Sequence, residues 1–304
     1  MRFFHNTNID FIGKRKLFFM VSVITISLTT LGTIILGPVM GIDFAGGTEV
    51  GVKFQNNIEA QEIRNAIESA GLDGAEIKSF GTANSYLIRV KDSDDAPTLV
   101  QNALNTNFAN NPHTTLKVDK IGPKIGNEMR TNGMIAIFLA TIAILLYIGF
   151  RFEFIFGLGA IVALVHDVVL TFTLIVVINT TGLFNLEINQ TTLAALLTVL
   201  GYSINDTVII FDRIRENLER IKGKSFRDIV NLSINETLSR TVNTTLTTSL
   251  VLLIIVLFGG PVLEAFALTM LIGFIVGTYS SIYIASSFVI WYNERNKKIE
   301  TAKW

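Results

Sequence analysis

The sequence has no cysteine, only three histidines and five prolines, and just 16% of its residues are charged. Without cysteine there are no disulfides, no thiol nucleophiles and no cysteine-ligated metal sites. The histidines, His5, His113 and His166, show no metal-ligand spacing of the His-Glu-x-x-His kind. Lys and Arg together number 25, as do Asp and Glu, so the formal net charge is zero. No global field therefore points to nucleic acid. Gly223-Lys224-Ser225 resembles the end of a phosphate-binding loop, but Leu218 stands where that loop needs its first glycine, and no strand precedes it. The expectation is a protein without covalent chemistry, metal or organic cofactor.

What the chain has in abundance is apolar sequence. Half of it is hydrophobic and the mean hydropathy is +0.49, whereas a soluble domain carries about a quarter charged residues. The apolar residues come in blocks: Leu17–Met40, Met134–Phe150 (extended backward by Gly133), Phe154–Ile178, Ile188–Phe211, Thr241–Phe258 and Val262–Tyr292. Crossing about 30 Å of hydrocarbon at about 1.5 Å per residue takes roughly 20 apolar residues. Six spans are therefore expected. The first block has a basic flank in Arg2, Lys14, Arg15 and Lys16, as a signal peptide would. It is longer than the roughly 7–15 residues of a signal core and lacks an Ala-x-Ala site, so it reads as a retained span.

Basic residues set the orientation. The N-terminal flank, the stretch with Arg213, Arg215, Arg220, Lys222, Lys224 and Arg227, and the tail with Arg295, Lys297 and Lys298 all fall on one side, expected to be cytoplasmic. The connections Asn179–Glu187 and Gly259–Pro261 hold no Lys or Arg. The expected organisation is a cytoplasmic N-terminus over 1–16, a first span over 17–40 and a domain outside the cytoplasm over 41–132. Five further spans follow within 133–292, with a cytoplasmic loop near 212–239, and then a cytoplasmic C-terminus over 293–304.

The inserted region alternates between two structural periods. Thr48–Phe54 places Val50, Val52 and Phe54 on one face of a strand. Ile58–Ala70 has helical spacing and stops at Gly71. Strands are expected over Glu76–Phe80 and Ser85–Val90. A helix follows over Pro97–Phe108 with Asp94 and Asp95 ahead of it, then a strand over Thr115–Ile121. The order β-α-β-β-α-β is that of a ferredoxin-like α+β sandwich. The fold class is thus a polytopic α-helical membrane protein with an inserted ferredoxin-like domain.

The functional candidates are polar residues within the spans, where a charge costs roughly 2.5–3.5 kcal/mol. Asp206 lies in the fourth block and Arg240 opens the fifth. In an antiparallel pair the two can meet, with desolvation and the arginine pulling the carboxylate in opposite directions. The alternatives are an interfacial helix-end residue for Asp206 and a snorkelling anchor for Arg240. His166-Asp167 in the third block is either a proton relay or a hydrogen-bonded packing pair. Asn205, Ser203 and Thr207 have the same two readings. Gly273, Gly277, Ser281 and Ala285 make a small-residue stripe that admits a close helix neighbour.

Taken in order, several strings resemble the SecF branch of the SecD/SecF protein-export family, within the resistance-nodulation-division superfamily. They are Gly41–Thr48, Gly201–Asp206 running into Thr207–Asn217, Leu238-Ser239-Arg240-Thr241, and Gly273–Ala285. The resemblance implies a multi-pass protein of the bacterial cytoplasmic membrane, paired with SecD beside the SecYEG channel. Such a pair uses the proton gradient to complete export of unfolded preproteins after SecA has acted. It implies proton passage at Asp206 and Arg240 with a further carboxylate from SecD, and it leaves sodium open as the coupling ion. Asp43, Gly46 and Gly47 fall in the family's motif at the start of the outer domain, read here as a hinge. Two other readings are half of a small-molecule or lipid exporter, and a scaffold in which Asp206 and Arg240 form a static ion pair.

Overall fold

Inside hydrocarbon a backbone must satisfy its own hydrogen bonds, so each apolar block has to be helical. In this computed structural model residues 7–79, 81–91 and 95–296 are described, with 261 and 262 as backbone only. Arg2, His5, Phe80, Asp94, Lys297 and Lys298 lie outside the described residues. The first span is α1 (Arg15–Leu36), followed by the short α2 (Ile42–Ala45). The inserted domain comprises β1 (Gly47–Phe54), α3 (Ala60–Ser69), β2 (Glu76–Ser79), β3 (Ser85–Val90), α4 (Ala96–Asn107) and β4 (His113–Ile121). Then come α5 (Pro123–Arg151), α6 (Phe154–Asn179), α7 (Gln190–Arg220) and α8 (Phe226–Phe258). The sixth span is α9 (Pro261–Ser280), a π-helical turn at Ser281–Ala285, and α10 (Ser286–Asn296). Six helical stretches are thus long and apolar enough to cross a membrane.

Three helices run well beyond their apolar blocks. With 29 residues, α5 is about 43 Å long, against about 30 Å of hydrocarbon. Its first turns, opened by Pro123, reach up to the inserted domain. At the opposite end, 212–239 is helical apart from 221–225, where a loop was expected. Hydropathy marks only the part of a helix in lipid; here polar contacts extend it. Arg213 pairs with Glu216 at 2.6 Å and across the hairpin with Glu236 at 2.7 Å. Asn217, fully buried, donates to Ser233 Oγ at 3.0 Å. Ser225 accepts from the Asp228 amide at 3.2 Å and so caps α8.

The inserted sheet is antiparallel in the order β2-β3-β1-β4. This split β-α-β arrangement is the expected ferredoxin-like topology. One face is covered by α3 and α4, and Val50, Val52, Phe54, Ile63, Ile88 and Leu104 form its core. The other face turns to the membrane half. There Arg89 on β3 donates to Glu49 at 3.0 Å and pairs closely with Glu187 in the α6–α7 connection. Lys78 reaches the same Glu187 at 2.6 Å, and Lys117 reaches Glu49 at 2.5 Å. Burial works against charge on Arg89 and Lys117. The surrounding carboxylates more than offset it, holding both pKa values above their ordinary values.

Within the bundle, α6, α7 and the sixth span are the most buried, at 50%, 44% and 56% of their apolar windows. For α1, α5 and α8 the shares are only 11%, 11% and 17%, so these line the outside. The small-residue stripe has its partner in this chain. A Cβ on Gly273 would fall 2.3 Å from Val199 Cγ2, and one on Gly277 would fall 3.0 Å from Ser203 Cβ. Ser281 continues the contact with α7 through Thr207, Oγ to Oγ1 at 2.8 Å. Ala285 instead meets α6, where its carbonyl would lie 3.2 Å from a Cβ on Gly159. The π turn between them rotates the helix from one neighbour to the other.

These contacts predict that Gly273→Leu destabilises the bundle by about 1–3 kcal/mol through overpacking. Gly201 on α7 has open space around it, so Gly201→Leu should be near neutral. Thermal unfolding of both variants in detergent checks this. Equal melting temperatures would show that α9 does not pack on α7 in this way.

Candidate functional site

A carboxylate in an apolar bundle must find donors, give up its charge, or stay unsatisfied at a cost. The bundle holds two, Asp167 on α6 and Asp206 on α7, with 1% and 2% of their surfaces exposed. They solve the problem differently.

Asp167 is saturated. His166 Nδ1 meets its Oδ1 at 2.8 Å. Its Oδ2 accepts from Ser280 Oγ at 2.7 Å and from Ser203 Oγ in a closer bond. The far nitrogen of His166, Nε2, meets Ser22 Oγ on α1 in another close bond. One residue pair therefore ties α1, α6, α7 and α9 together. Tyr279 adds a lid, its ring 6.1 Å from His166 and its hydroxyl donating to the Phe18 carbonyl at 2.5 Å. Ser280 immediately precedes the π turn, whose altered bonding is seen in Ser286 Oγ donating to the Ser281 carbonyl at 3.1 Å.

Asp206 is not saturated. Its Oδ2 accepts one long bond, 3.3 Å, from Thr278 Oγ1. Its Oδ1 is buried and has no hydrogen-bond partner among the described residues. Thr278 is itself bonded to Thr245 on α8 at 2.7 Å, so the carboxylate sits where α7, α8 and α9 meet. Arg240 lies in the middle of α8, because that helix begins at Phe226. Its side chain is exposed. Among the described residues no ion pair within 4 Å joins Asp206 to Arg240. Asn205, beside Asp206, points outward and is exposed. Among the described residues no hydrogen bond joins the Asp167 cluster directly to Asp206.

The third site is the junction between the two halves. Asp43 Oδ2 accepts from the backbone N–H of Gln190 at 2.9 Å, satisfying one of the open donors at the start of α7. Asn189 caps the same end through Thr192 N at 2.9 Å. Ile188 N donates to the Val39 carbonyl at 2.8 Å, and Gly41 N to the Ile188 carbonyl at 3.0 Å. The chain leaving α1 is thus sewn to the start of α7. Gly46 and Gly47 follow with φ of 74° and 128°, in the region that favours glycine. A Cβ at Gly46 would lie 2.9 Å from Pro123 Cα, and one at Gly47 would lie 2.9 Å from the Val90 carbonyl. Both glycines are needed for the turn into the sheet.

Sequence reasoning singled out Asp206, Arg240, His166, Asp167, Asp43 and the glycines. It missed Ser22, Thr278, Thr245, Ser280 as a carboxylate donor, and the pair Glu187–Arg89. A serine or threonine in an apolar helix also bonds to its own backbone, so it carries little signal alone. Glu187 had one: it is the only charged residue of the connection 179–187.

The chain matches the family model described as protein export membrane protein SecD/SecF, C-terminal, over 100–295, and the SecD/SecF GG motif over 33–58. The second match contains Asp43, Gly46 and Gly47. Among curated relatives, the protein translocase subunit SecF of Calditerrivibrio nitroreducens is 39% identical, with 97% of each chain covered. That of Rhodothermus marinus is 39% identical over 100% of both. That of Pseudomonas aeruginosa is 37% identical over 94% of this chain and 92% of its own. The fold is similar to the crystal structure of SecDF, a translocon-associated membrane protein from Thermus thermophilus, with a TM-score of 0.85 at 35% identity. That likeness covers 95% of this chain but only 39% of the SecDF chain. Against SecDF in a super-membrane-facing form the TM-score is 0.71 over 97% of this chain.

The contrast between the carboxylates predicts opposite responses to amidation. Asp167→Asn puts an amide donor among donors and should cost about 1–3 kcal/mol. Asp206→Asn has one long bond to lose and should change stability by less than about 1 kcal/mol. Unfolding followed by the fluorescence of Trp291 separates them. Equal destabilisation would mean that Asp206 is held as firmly as Asp167.

Proposed function

This chain belongs to the SecF family of protein translocase subunits, and we propose that it couples proton movement to the late stage of preprotein export. In this reading it works with a SecD subunit beside the SecYEG channel of the bacterial inner membrane, after SecA has driven the preprotein in. Both termini lie in the cytoplasm and the inserted domain faces outward, as the placement of basic residues suggests. No bond of a substrate is made or broken. The energy source in this reading is the proton motive force.

One observation carries the proposal: a carboxylate oxygen of Asp206 is buried in the bundle without any hydrogen-bond partner among the described residues. An ionised Asp206 in that state bears the desolvation cost in full, and a proton relieves it. Among the described residues no ion pair with Arg240 locks that charge in place. The site therefore has two accessible charge states. Asp206 lies on α7, and the start of the same helix is capped by Asp43 and preceded by Glu187, which holds Arg89 of the sheet. A shift of α7 on protonation would be felt by the inserted domain through these two contacts.

The energies are compatible. One proton moving through about 150 mV releases roughly 3.5 kcal/mol, which shifts a two-state equilibrium about 400-fold. That is below the roughly 5–15 kcal/mol needed to unfold a typical domain. The motion is accordingly a swing between two folded arrangements, in which the outer domain alternately holds and releases an unfolded chain.

Inverted membrane vesicles containing the SecD partner test this. Asp206→Asn is expected to abolish the stimulation of preprotein export by a proton gradient while leaving the complex assembled and ATP-driven entry intact. Unchanged stimulation in the mutant would overturn the proposal.

A further inference from the structure

At the end of the bundle opposite the inserted domain, an apolar groove of about 730 Å³ runs between α1 and α10. Phe19, Val162, Phe288 and Trp291 wall it, and Phe19 and Trp291 are each half exposed, at 49%. Its volume falls in the range of small-molecule sites, about 300–1,000 Å³. Arg15 and Lys16 stand at its mouth, at the first turn of α1. That turn is where an apolar span meets the headgroups, and an interfacial tryptophan belongs at the same level.

The charge at the mouth is one-sided. Glu294 is its carboxylate, but it is already occupied: Arg15 Nη2 donates to its two oxygens at 3.2 and 3.1 Å, and Arg227 Nε donates to it closely. Among the described residues Arg15 Nη1 has no hydrogen-bond partner. Lys14 and Lys16 are exposed, and Arg295 lies 5.8 Å above the Trp291 ring. Asp10 and Asp228 line the adjoining cleft and are engaged locally, by the Gly13 amide at 2.7 Å and by Ser225 Oγ at 2.6 Å. A basic pocket between membrane helices, open to the bilayer along an apolar trench, matches the two parts of an anionic lipid.

We propose that this groove seats an acyl chain of an anionic phospholipid, with the phosphate at Lys16 and Arg15. A second helix would complement the apolar wall but would leave the excess positive charge at the mouth unanswered. The bound lipid fastens α1, one of the least buried spans, to the end of the sixth. This requires only that the chain spans a bilayer and is independent of the coupling proposed for Asp206.

Trp291 is a built-in reporter. Trp304→Phe leaves it as the single tryptophan of the two in the sequence. The full chain is reconstituted into phosphatidylcholine vesicles containing a rising fraction of brominated phosphatidylglycerol or of brominated phosphatidylcholine. Half-quenching by the anionic lipid is expected at about a fivefold lower fraction or less, since each nearby basic residue contributes about a fivefold factor. Lys14→Gln with Lys16→Gln, both at exposed positions, should bring the two curves close together. Coincident curves for the unsubstituted mouth, or a preference undiminished by both lysine changes, would overturn the proposal. So would its loss on adding inorganic phosphate, which would mark a free-anion site. Failure of either lipid to quench would also overturn it, by showing that protein covers the groove.

Discussion

Asp167 accepts hydrogen bonds from α6, α7 and α9, and through His166 it also reaches α1 at Ser22. Four helices therefore share one carboxylate, and the most buried part of the bundle is built around it. Apolar side chains alone give little direction to helix association in lipid, where burial from water is not at stake. A buried carboxylate does, because any register that removes one of its donors exposes the cost of the charge. The close approach of α9 to α7 at Gly273 and Gly277 is what lets Ser203 and Ser280 reach Asp167 together. The π turn follows directly, moving Ala285 from the α7 side to Gly159 of α6.

Against that fixed centre, the neighbourhood of Asp206 is loose. It has one long bond, one orphan oxygen and an arginine held at a distance. The same physics that makes Asp167 a fastening leaves Asp206 the less satisfied of the two carboxylates. One helix, α7, carries a donor to the first, Ser203, and the second carboxylate itself. At its beginning it is bound to the junction at Asp43 and, through Glu187, to the sheet. In the proposed function, a rod of this kind would carry an event in the bundle to the inserted domain. The chain spans about two fifths of the SecDF protein it resembles.

Much of this was legible in the sequence, and the gaps have physical causes. The spans were visible because bilayer thickness sets a minimum apolar length. The domain was visible because strand and helix periods alternate without ambiguity from Thr48 to Ile121. The polar continuations of α5, α7 and α8 were not found by hydropathy, which is blind to a helix once it leaves lipid. The Ser225-x-x-Asp228 cap was a readable sign that a helix starts there. Asp167 and Asp206 stood out as charges in apolar sequence, but nothing in either string tells a saturated carboxylate from an orphaned one. That difference depends on Ser22, Ser203, Ser280 and Thr278, brought together by packing between distant segments. Arg240 illustrates the same limit: its sequence position allowed an ion pair with Asp206, and side-chain placement leaves the two apart.

The central claim is that Asp206, and not Asp167, is the group in this bundle that changes its protonation. Infrared difference spectroscopy of the reconstituted protein, recorded as pH is stepped, reads buried carboxyl groups directly. A protonated-carboxyl band is expected that appears as pH falls, vanishes in Asp206→Asn and persists in Asp167→Asn. A band that persists in Asp206→Asn, or one that disappears in Asp167→Asn alone, would contradict it.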